Sequence, residues 1–293
     1  MKKQLIIEFV FLFFMGNIFA QNVRFGVRGG ANLTMMPTVD KTPLSEGYNS
    51  RLASGMGIFT EIEISDVFSV RAGVEYNGQG GVKDGLQALP TMRKITEIAT
   101  NMGMSMSEET QAALGAVIPM MPANYYANVK STMRFDYVSI PILAQYNLNF
   151  GSSPWGIYIN GGPCVSFIVS AMQITEGTSS VYVDPSGQTT IWSQIPSKDP
   201  VNIQAMIRAQ VPEIADFLEK FNTFGESDIT GELKSVNFGL AGNIGIRYRC
   251  RRSCFFVEAG GIYGFNTIQQ DSANGTNRIG AMSVMVGYSF SMF

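Results

Sequence analysis

The sequence contains no histidine, so it lacks the commonest metal ligand in proteins and the general base of most serine and cysteine hydrolases. Glu61 and Glu63 fall on one face of a predicted strand, and a carboxylate pair can perform acid and base catalysis. Arg24, Arg28 and Arg71 are their expected neighbours and would keep both carboxylates ionised. We therefore predict no catalytic residues, no metal site and no cofactor.

Charged residues and long apolar runs are also scarce. Charged residues make up 15% of the chain and hydrophobic residues 45%. This charged fraction is low, and the chain is apolar, for a soluble protein. Past residue 20 there is no run of about 18 uncharged apolar residues, so a membrane-spanning helix is not expected. The formal net charge of −2 gives no reason to expect a nucleic acid as a partner.

The first 20 residues have the three parts of a secretory signal peptide. A basic start with Lys2 and Lys3 precedes an apolar segment at 5–14, and Ala20 ends a small-residue cleavage site. We predict that residues 1–20 are removed on export. Residues 21–293 then form a single domain.

Residues 56–79 show the clearest strand pattern in the chain. From Met56 to Ile64, and again from Phe68 to Tyr76, every second residue is apolar or otherwise uncharged, and all the charges fall on the other face. Side chains of a strand alternate between two faces, whereas a helix would scatter the charges around its circumference. The pattern predicts an antiparallel hairpin with a tight turn at 65–66.

The same alternation predicts eight strands, at 23–34, 56–64, 68–79, 137–148, 155–167, 236–248, 255–265 and 279–290. Two large insertions interrupt them, at about 80–130 and 170–234. Helical patterns occur inside the insertions, at 92–99, 108–118 and 200–221, the last broken near Pro212.

Connection lengths distinguish the two ends of the predicted sheet. Short turns at 65–66, 150–154 and 250–253 alternate along the chain with longer connections. In an up-and-down arrangement, all short turns then share one end, as in an outer-membrane barrel. We predict an all-β membrane protein, namely an eight-stranded antiparallel up-and-down transmembrane β-barrel with two long, partly helical extracellular insertions.

Aromatic residues gather at the short-turn ends of the predicted strands. In a membrane barrel such residues form an interfacial girdle at the level of the lipid headgroups. The residues in question are Phe68, Tyr146, Phe150, Trp155, Tyr248, Phe255, Tyr288 and Phe290.

Several segments together resemble a known family. The segments FGVRGGANLT, VSIPILAQYNL, GLAGNIGIRY and VMVGYSF, together with the signal sequence, resemble the outer-membrane β-barrel (porin-like) domain proteins of the Bacteroidota. The resemblance covers the strands, about half of the chain, and not the two insertions. It implies the outer membrane of a Gram-negative, Bacteroidota-type bacterium, contact with outer-membrane lipid, and insertion by the barrel assembly machinery.

The polar faces of the strands carry four basic and four acidic residues that would point into the barrel. An eight-stranded barrel is only wide enough for its interior to be filled by side chains. Buried charges must be paired to be tolerated, so we expect a charge network that closes the lumen. Its members are Arg24, Arg28, Glu61, Glu63, Arg71, Glu75, Arg247 and Glu258.

Two functions remain open at this point. The first is a non-enzymatic structural or interaction role, as an accessory subunit of an outer-membrane complex, with the long loops as the contact surface for a partner protein. The second is a small porin-like channel for water or small solutes.

Cys250 and Cys254 flank a predicted turn, and both a disulfide and two reduced thiols are compatible with that spacing.

Overall fold

The computed structural model describes residues 22–90, 124–197, 202–210, 212–271 and 275–291. The predicted signal peptide and the predicted helices at 92–99 and 108–118 lie outside the described residues. Nine β-strands are described: β1 (Asn22–Met35), β2 (Arg51–Glu63), β3 (Phe68–Pro90), β4 (Asn124–Asn149), β5 (Trp155–Ser180), β6 (Lys220–Asp228), β7 (Val236–Cys250), β8 (Ser253–Gly264) and β9 (Gly280–Ser291).

Eight of the strands pair in a ring. The strands follow one another in the order β4, β3, β2, β1, β9, β8, β7 and β5, and β4 also pairs with β5. All these pairings are antiparallel. The all-β antiparallel architecture predicted from the alternation is therefore confirmed. The remaining strand, β6, lies outside the ring and pairs with β5 over Met172–Ser180.

Strands extend far into both predicted insertions, where the sequence predicted no strand. β3 continues to Pro90 and pairs there with Asn124 of β4, so residues 80–90 and 124–130 belong to strands. β5 likewise continues to Ser180 and pairs with Lys220 of β6. The sequence of these extensions alternates poorly, but each strand satisfies its backbone hydrogen bonds through the ladder of its neighbour.

Beyond the ring, β3, β4, β5 and β6 form a projecting sheet that carries the described helices. These are α1 (Ile191–Gln194), α2 (Ile203–Gln210) and α3 (Pro212–Glu219). Pro212 lies at the first position of α3, where its missing N–H costs no helical hydrogen bond. The helices and the sheet share a hydrophobic core of Tyr125, Ala127, Val129, Val181, Ile191, Ile195, Ile207, Ala215 and Leu218. No helix among the described residues is long and apolar enough to cross a membrane.

A hydrophobic cluster lies at the end of the ring that carries the long connections. We call it the apolar cap, and it consists of Met36, Phe135, Tyr137, Ala171, Ile229, Leu233, Ile268 and Ile279. Its members come from β4, from β5 and from the connections between strands. The interior of the ring is therefore bounded on that side by apolar side chains.

Candidate functional site in the ring interior

Four charged side chains meet in the centre of the ring. Glu258 on β8 accepts hydrogen bonds from Arg28 on β1 and from Arg71 on β3, the latter at 2.9 Å. Arg28 also pairs with Glu75. Each of the four side chains is at most 10% exposed. Burial of charge at this depth is tolerated because every charge has an opposite partner. We call these four residues the central cluster.

The contact between Arg71 and Glu258 spans the full width of the ring. In the order of pairing, β3 and β8 are four strands apart in either direction, so they face each other across the interior. The hydroxyl of Tyr158, on β5, also donates to Glu258. Side chains from three separate parts of the wall thus converge on one carboxylate.

Aromatic rings surround the guanidinium group of Arg71. Its Cζ atom lies 4.3 Å from the ring centre of Phe59, 5.3 Å from that of Tyr158 and 5.2 Å from that of Phe256. Cations are attracted to the faces of aromatic rings within about 6 Å. These rings therefore stabilise the arginine while excluding water from it.

Each of the three aromatic rings lies over a glycine on the neighbouring strand. Phe59 pairs with Gly26, Tyr158 with Gly245, and Phe256 with Gly287. A Cβ atom at these glycines would lie 2.1 to 2.3 Å from the nearest ring atom. The absence of a side chain is what lets the rings lie flat against the wall.

A second polar layer lies on the short-turn side of the central cluster. Glu61 accepts hydrogen bonds from Ser69 and Gln145, both at 2.9 Å, and lies 3.8 Å from Arg71. Arg247 donates to Asn147 and, at 2.7 Å, to Asn149. The layer joins charged groups to neutral amides and hydroxyls around the wall.

The third group of charges lies at the short-turn mouth. Glu63 accepts from Arg24 at 3.1 Å and from Arg249 at 2.6 Å. The side chain of Glu63 is 15% exposed and that of Arg249 is 29% exposed, so this group borders solvent. The eight predicted network residues are thus all placed in the interior, but they divide into three groups along its axis.

Sequence reasoning missed several interior residues that complete these groups. Arg249, Tyr158, Phe59 and Phe256 follow the same alternation as the predicted charges, and that alternation would have placed them on the inner face. The predicted network contains only charged residues within the predicted strands. Tyr158, Phe59 and Phe256 are uncharged, and Arg249 lies one residue beyond the end of its predicted strand, next to a turn.

The outer face of the ring is apolar and carries aromatic residues at both ends. The eight predicted girdle residues lie on the outside and are between 36% and 53% exposed. Ring contacts join Trp155 to Tyr248 and Phe255 to Tyr288, with centroids 5.0 and 5.1 Å apart. A second aromatic row, which the sequence analysis did not identify, lies towards the long connections and contains Phe167, Phe238, Tyr263 and Phe265.

The separation of the two aromatic rows fits the thickness of a bilayer. From Phe238 to Tyr248, β7 rises by about 25 Å along the barrel axis at the usual strand tilt. Membrane barrels have an outer apolar band about 25 Å tall, flanked by aromatic girdles. Between the two residues, Leu240, Ile244 and Ile246 are exposed by 52% to 56%.

The two cysteines near the last short turn form no disulfide. Cys250 is exposed and Cys254 is buried, and both are free thiols, as is Cys164. Cys250 pairs with Ser253, and Cys254 pairs with Arg249. Adjacent residues of a strand point to opposite faces, so Cys254 points inward while Cys250 does not, and their side chains cannot meet.

Antiparallel strands that pair in a ring, with charged side chains on one face and apolar side chains on the other, are typical of membrane β-barrels. The model of the outer membrane protein beta-barrel domain family matches residues 19–270. The chain therefore belongs to that family, which indicates the outer membrane of a Gram-negative bacterium. No curated protein sequence matches the chain.

Several solved outer-membrane barrels are similar to this chain at low identity. Neisserial surface protein A is 11% identical with a TM-score of 0.37, covering 92% of this chain and 97% of its own. A major outer membrane protein of Thermus thermophilus has the same identity and TM-score, with coverages of 92% and 99%. The attachment invasion locus protein Ail of Yersinia pestis is 9% identical with a TM-score of 0.33, with coverages of 91% and 98%. Nothing about the function of this chain follows from similarity at this level.

Proposed function

We propose that this protein is an integral outer-membrane barrel with a closed lumen, which acts without enzymatic activity through its loop-side surface. The observation that carries the proposal is the contact at 2.9 Å between Arg71 and Glu258, from strands that face each other across the ring. A continuous pore would have to cross this level of the interior. The ion pair spans it, and Arg28, Glu75 and the three aromatic rings around Arg71 lie beside the pair.

Two further layers support a closed lumen. The hydrogen-bonded layer around Glu61 lies on one side of the central cluster, and the apolar cap lies on the other. A solute entering from the long-connection end would first have to displace apolar side chains and then separate paired charges. Breaking a buried ion pair by removing one partner costs about 3–5 kcal/mol.

The projecting sheet and its helices are the surface that we assign to a partner. In outer-membrane barrels the short turns face the periplasm and the long connections face outwards, so the projecting sheet would be extracellular. Its helices pack on a hydrophobic core, and an exposed ion pair between Arg208 and Glu219 at 2.6 Å joins α2 to α3. A rigid surface of this kind suits an accessory subunit of an outer-membrane complex, since little ordering entropy is lost on binding.

Conductance in planar lipid bilayers tests the closed lumen. We expect no steady conductance from the wild-type protein and a measurable leak from Arg71→Ala and Glu258→Ala, because each variant removes one side of the central contact. Arg208→Ala, which breaks an exposed ion pair on the projecting helices, is the matched control and should stay silent. Steady wild-type conductance would contradict the closed lumen and favour a porin-like channel for water or small solutes.

A photo-cross-linking amino acid on the projecting helices tests the contact surface. Met206 on α2 is 36% exposed, so it can carry the probe without disturbing the core. The control is the same probe at Phe150, in a short turn at the other end. We expect one discrete outer-membrane protein product from the Met206 probe and none from the Phe150 probe. Equal labelling at both ends, or none at Met206, would contradict the assigned surface.

A further inference from the structure

A small cavity lies in the interior at the apolar cap, and two members of the cap, Tyr137 and Ile279, line it. It is lined by residues of six strands or their ends, among them Gln79 on β3, Tyr137 on β4, Ser166 on β5 and Asn237 on β7. The volume of the cavity in which the centre of a water molecule can lie is about 10 Å³. That is room for about one water molecule.

Four polar atoms of the lining residues have no hydrogen-bond partner among the described residues. They are Gln79 Oε1, the Tyr137 hydroxyl, Asn237 Nδ2 and Asn237 Oδ1. Gln79 is 2% exposed, Tyr137 1% and Asn237 5%. A buried polar group without a partner is costly, and three such side chains around one cavity indicate a shared ligand.

The donors and acceptors of these atoms match one small molecule. The two amide oxygens of Gln79 and Asn237 can only accept hydrogen bonds, whereas Asn237 Nδ2 donates and the Tyr137 hydroxyl can donate. A water molecule donates two hydrogen bonds and accepts two. Its hydrogen-bonding capacity is therefore the complement of the four atoms.

The cavity is unsuited to an ion. The remaining lining residues, Gly239, Ile262, Gly264 and Ile279, carry no charge either. An ion held here would have no opposite charge in the lining to offset its desolvation, which is costly in a low-dielectric interior. A neutral ligand of the size of water meets both the volume and the charge requirement.

We propose that this cavity is a binding site for one water molecule. The water donates to Gln79 Oε1 and Asn237 Oδ1 and accepts from the Tyr137 hydroxyl and Asn237 Nδ2. It ties β3, β4 and β7 together at a level where apolar side chains otherwise fill the interior. The site lies beyond the central cluster, so its occupancy does not depend on whether that cluster closes the lumen.

The sign of a stability change distinguishes a hydrated site from a dry one. In a hydrated site, Tyr137→Phe removes a hydrogen bond to the water, and the unfolding temperature in detergent should fall by about 2–4 °C. In a dry site, the same substitution removes an unsatisfied buried hydroxyl, and the unfolding temperature should stay the same or rise. An unchanged or higher unfolding temperature for Tyr137→Phe would overturn the proposal.

Ser131→Ala is the matched control for this substitution. Ser131 is 2% exposed and its hydroxyl also has no partner among the described residues, but it does not line the cavity. Its removal should leave the unfolding temperature unchanged or raise it.

A crystal structure that resolves ordered waters gives a second, independent test. We expect a single peak within hydrogen-bonding distance of Gln79, Tyr137 and Asn237. No density there, or density coordinated as a metal ion, would overturn the proposal.

Discussion

Replacing Glu258 by glutamine should destabilise the barrel strongly. The substitution keeps the size of the side chain but removes the negative charge that two buried arginines share. Arg28 retains Glu75, whereas Arg71 retains Glu61 at 3.8 Å and its aromatic surroundings. Removing one partner of a buried ion pair costs about 3–5 kcal/mol, and we expect a loss in that range.

The loss can be measured by equilibrium unfolding in urea, in lipid vesicles, with tryptophan fluorescence as the signal. The chain has two tryptophans, and Trp192→Phe in every variant leaves Trp155, which contacts Tyr248 on the barrel wall and reports on the barrel itself. The matched control is Glu219→Gln, which breaks an ion pair whose side chains are 55% and 48% exposed. An exposed pair of this kind contributes about 1 kcal/mol or less.

A double variant separates the loss of an ion pair from a general disturbance of packing. If the cost of Glu258→Gln comes from removing the closest carboxylate of Arg71, adding Arg71→Met to Glu258→Gln should cost much less than Arg71→Met costs alone, because the charge that lost this partner is removed as well. The reasoning is refuted if Glu258→Gln costs no more than Glu219→Gln. It is also refuted if the two central substitutions are additive.

Three smaller predictions concern other parts of the chain. Gly287→Ala should lower the free energy of unfolding by about 1–3 kcal/mol, since its Cβ would lie 2.1 Å from the Phe256 ring. A maleimide should label folded protein at Cys250 but not at the buried Cys254, and mass spectrometry should find no disulfide. Hydrogen bonds from the Ser186 hydroxyl and the backbone N–H of Thr189 lower the pKa of Asp184 to about 2, so its carboxyl carbon should titrate below the usual midpoint of about 3.9.

Each of these predictions would be contradicted by a specific result. Gly161→Ala is the control for Gly287→Ala, because the nearest atom to its Cβ would be at 3.7 Å, and equal losses in both variants would contradict the packing argument. Labelling of Cys254 in folded protein would contradict its burial. For Asp184, hydrogen bonding to the ionised form stabilises its loop above the unfolded pKa, and this contribution is lost as the pH falls through the folded pKa. A midpoint of about 4 would show that these hydrogen bonds are absent.

The alternation of residues in the sequence predicted much of the ring. It predicted the eight strands that form it, the short turns that share one end, and the inward face of residues such as Arg28, Arg71 and Glu258. These features follow from a local property, because successive side chains of a strand point to opposite faces. The outward position of Trp155 and Tyr248 follows from the same rule.

The sequence did not predict β6 or the extensions of β3, β4 and β5. Residues 80–90 and 220–228 have glycines, charges and irregular patterns, and their strand conformation depends on a neighbouring strand that supplies the hydrogen bonds. The sequence also did not predict that Cys250 and Cys254 are free thiols, because their spacing along the chain permits a disulfide. Only the strand register shows that the two side chains lie on opposite faces.

By itself, the sequence determined which side chains face inwards, because that depends only on a repeat of two residues along each strand. Only the tertiary structure decided which of them meet. Closure of the ring places β3 opposite β8, and strand tilt and register set the level of each residue along the axis. Arg71 contacts Glu258, 187 residues away in the sequence, because the ring closes, and no local pattern contains that information.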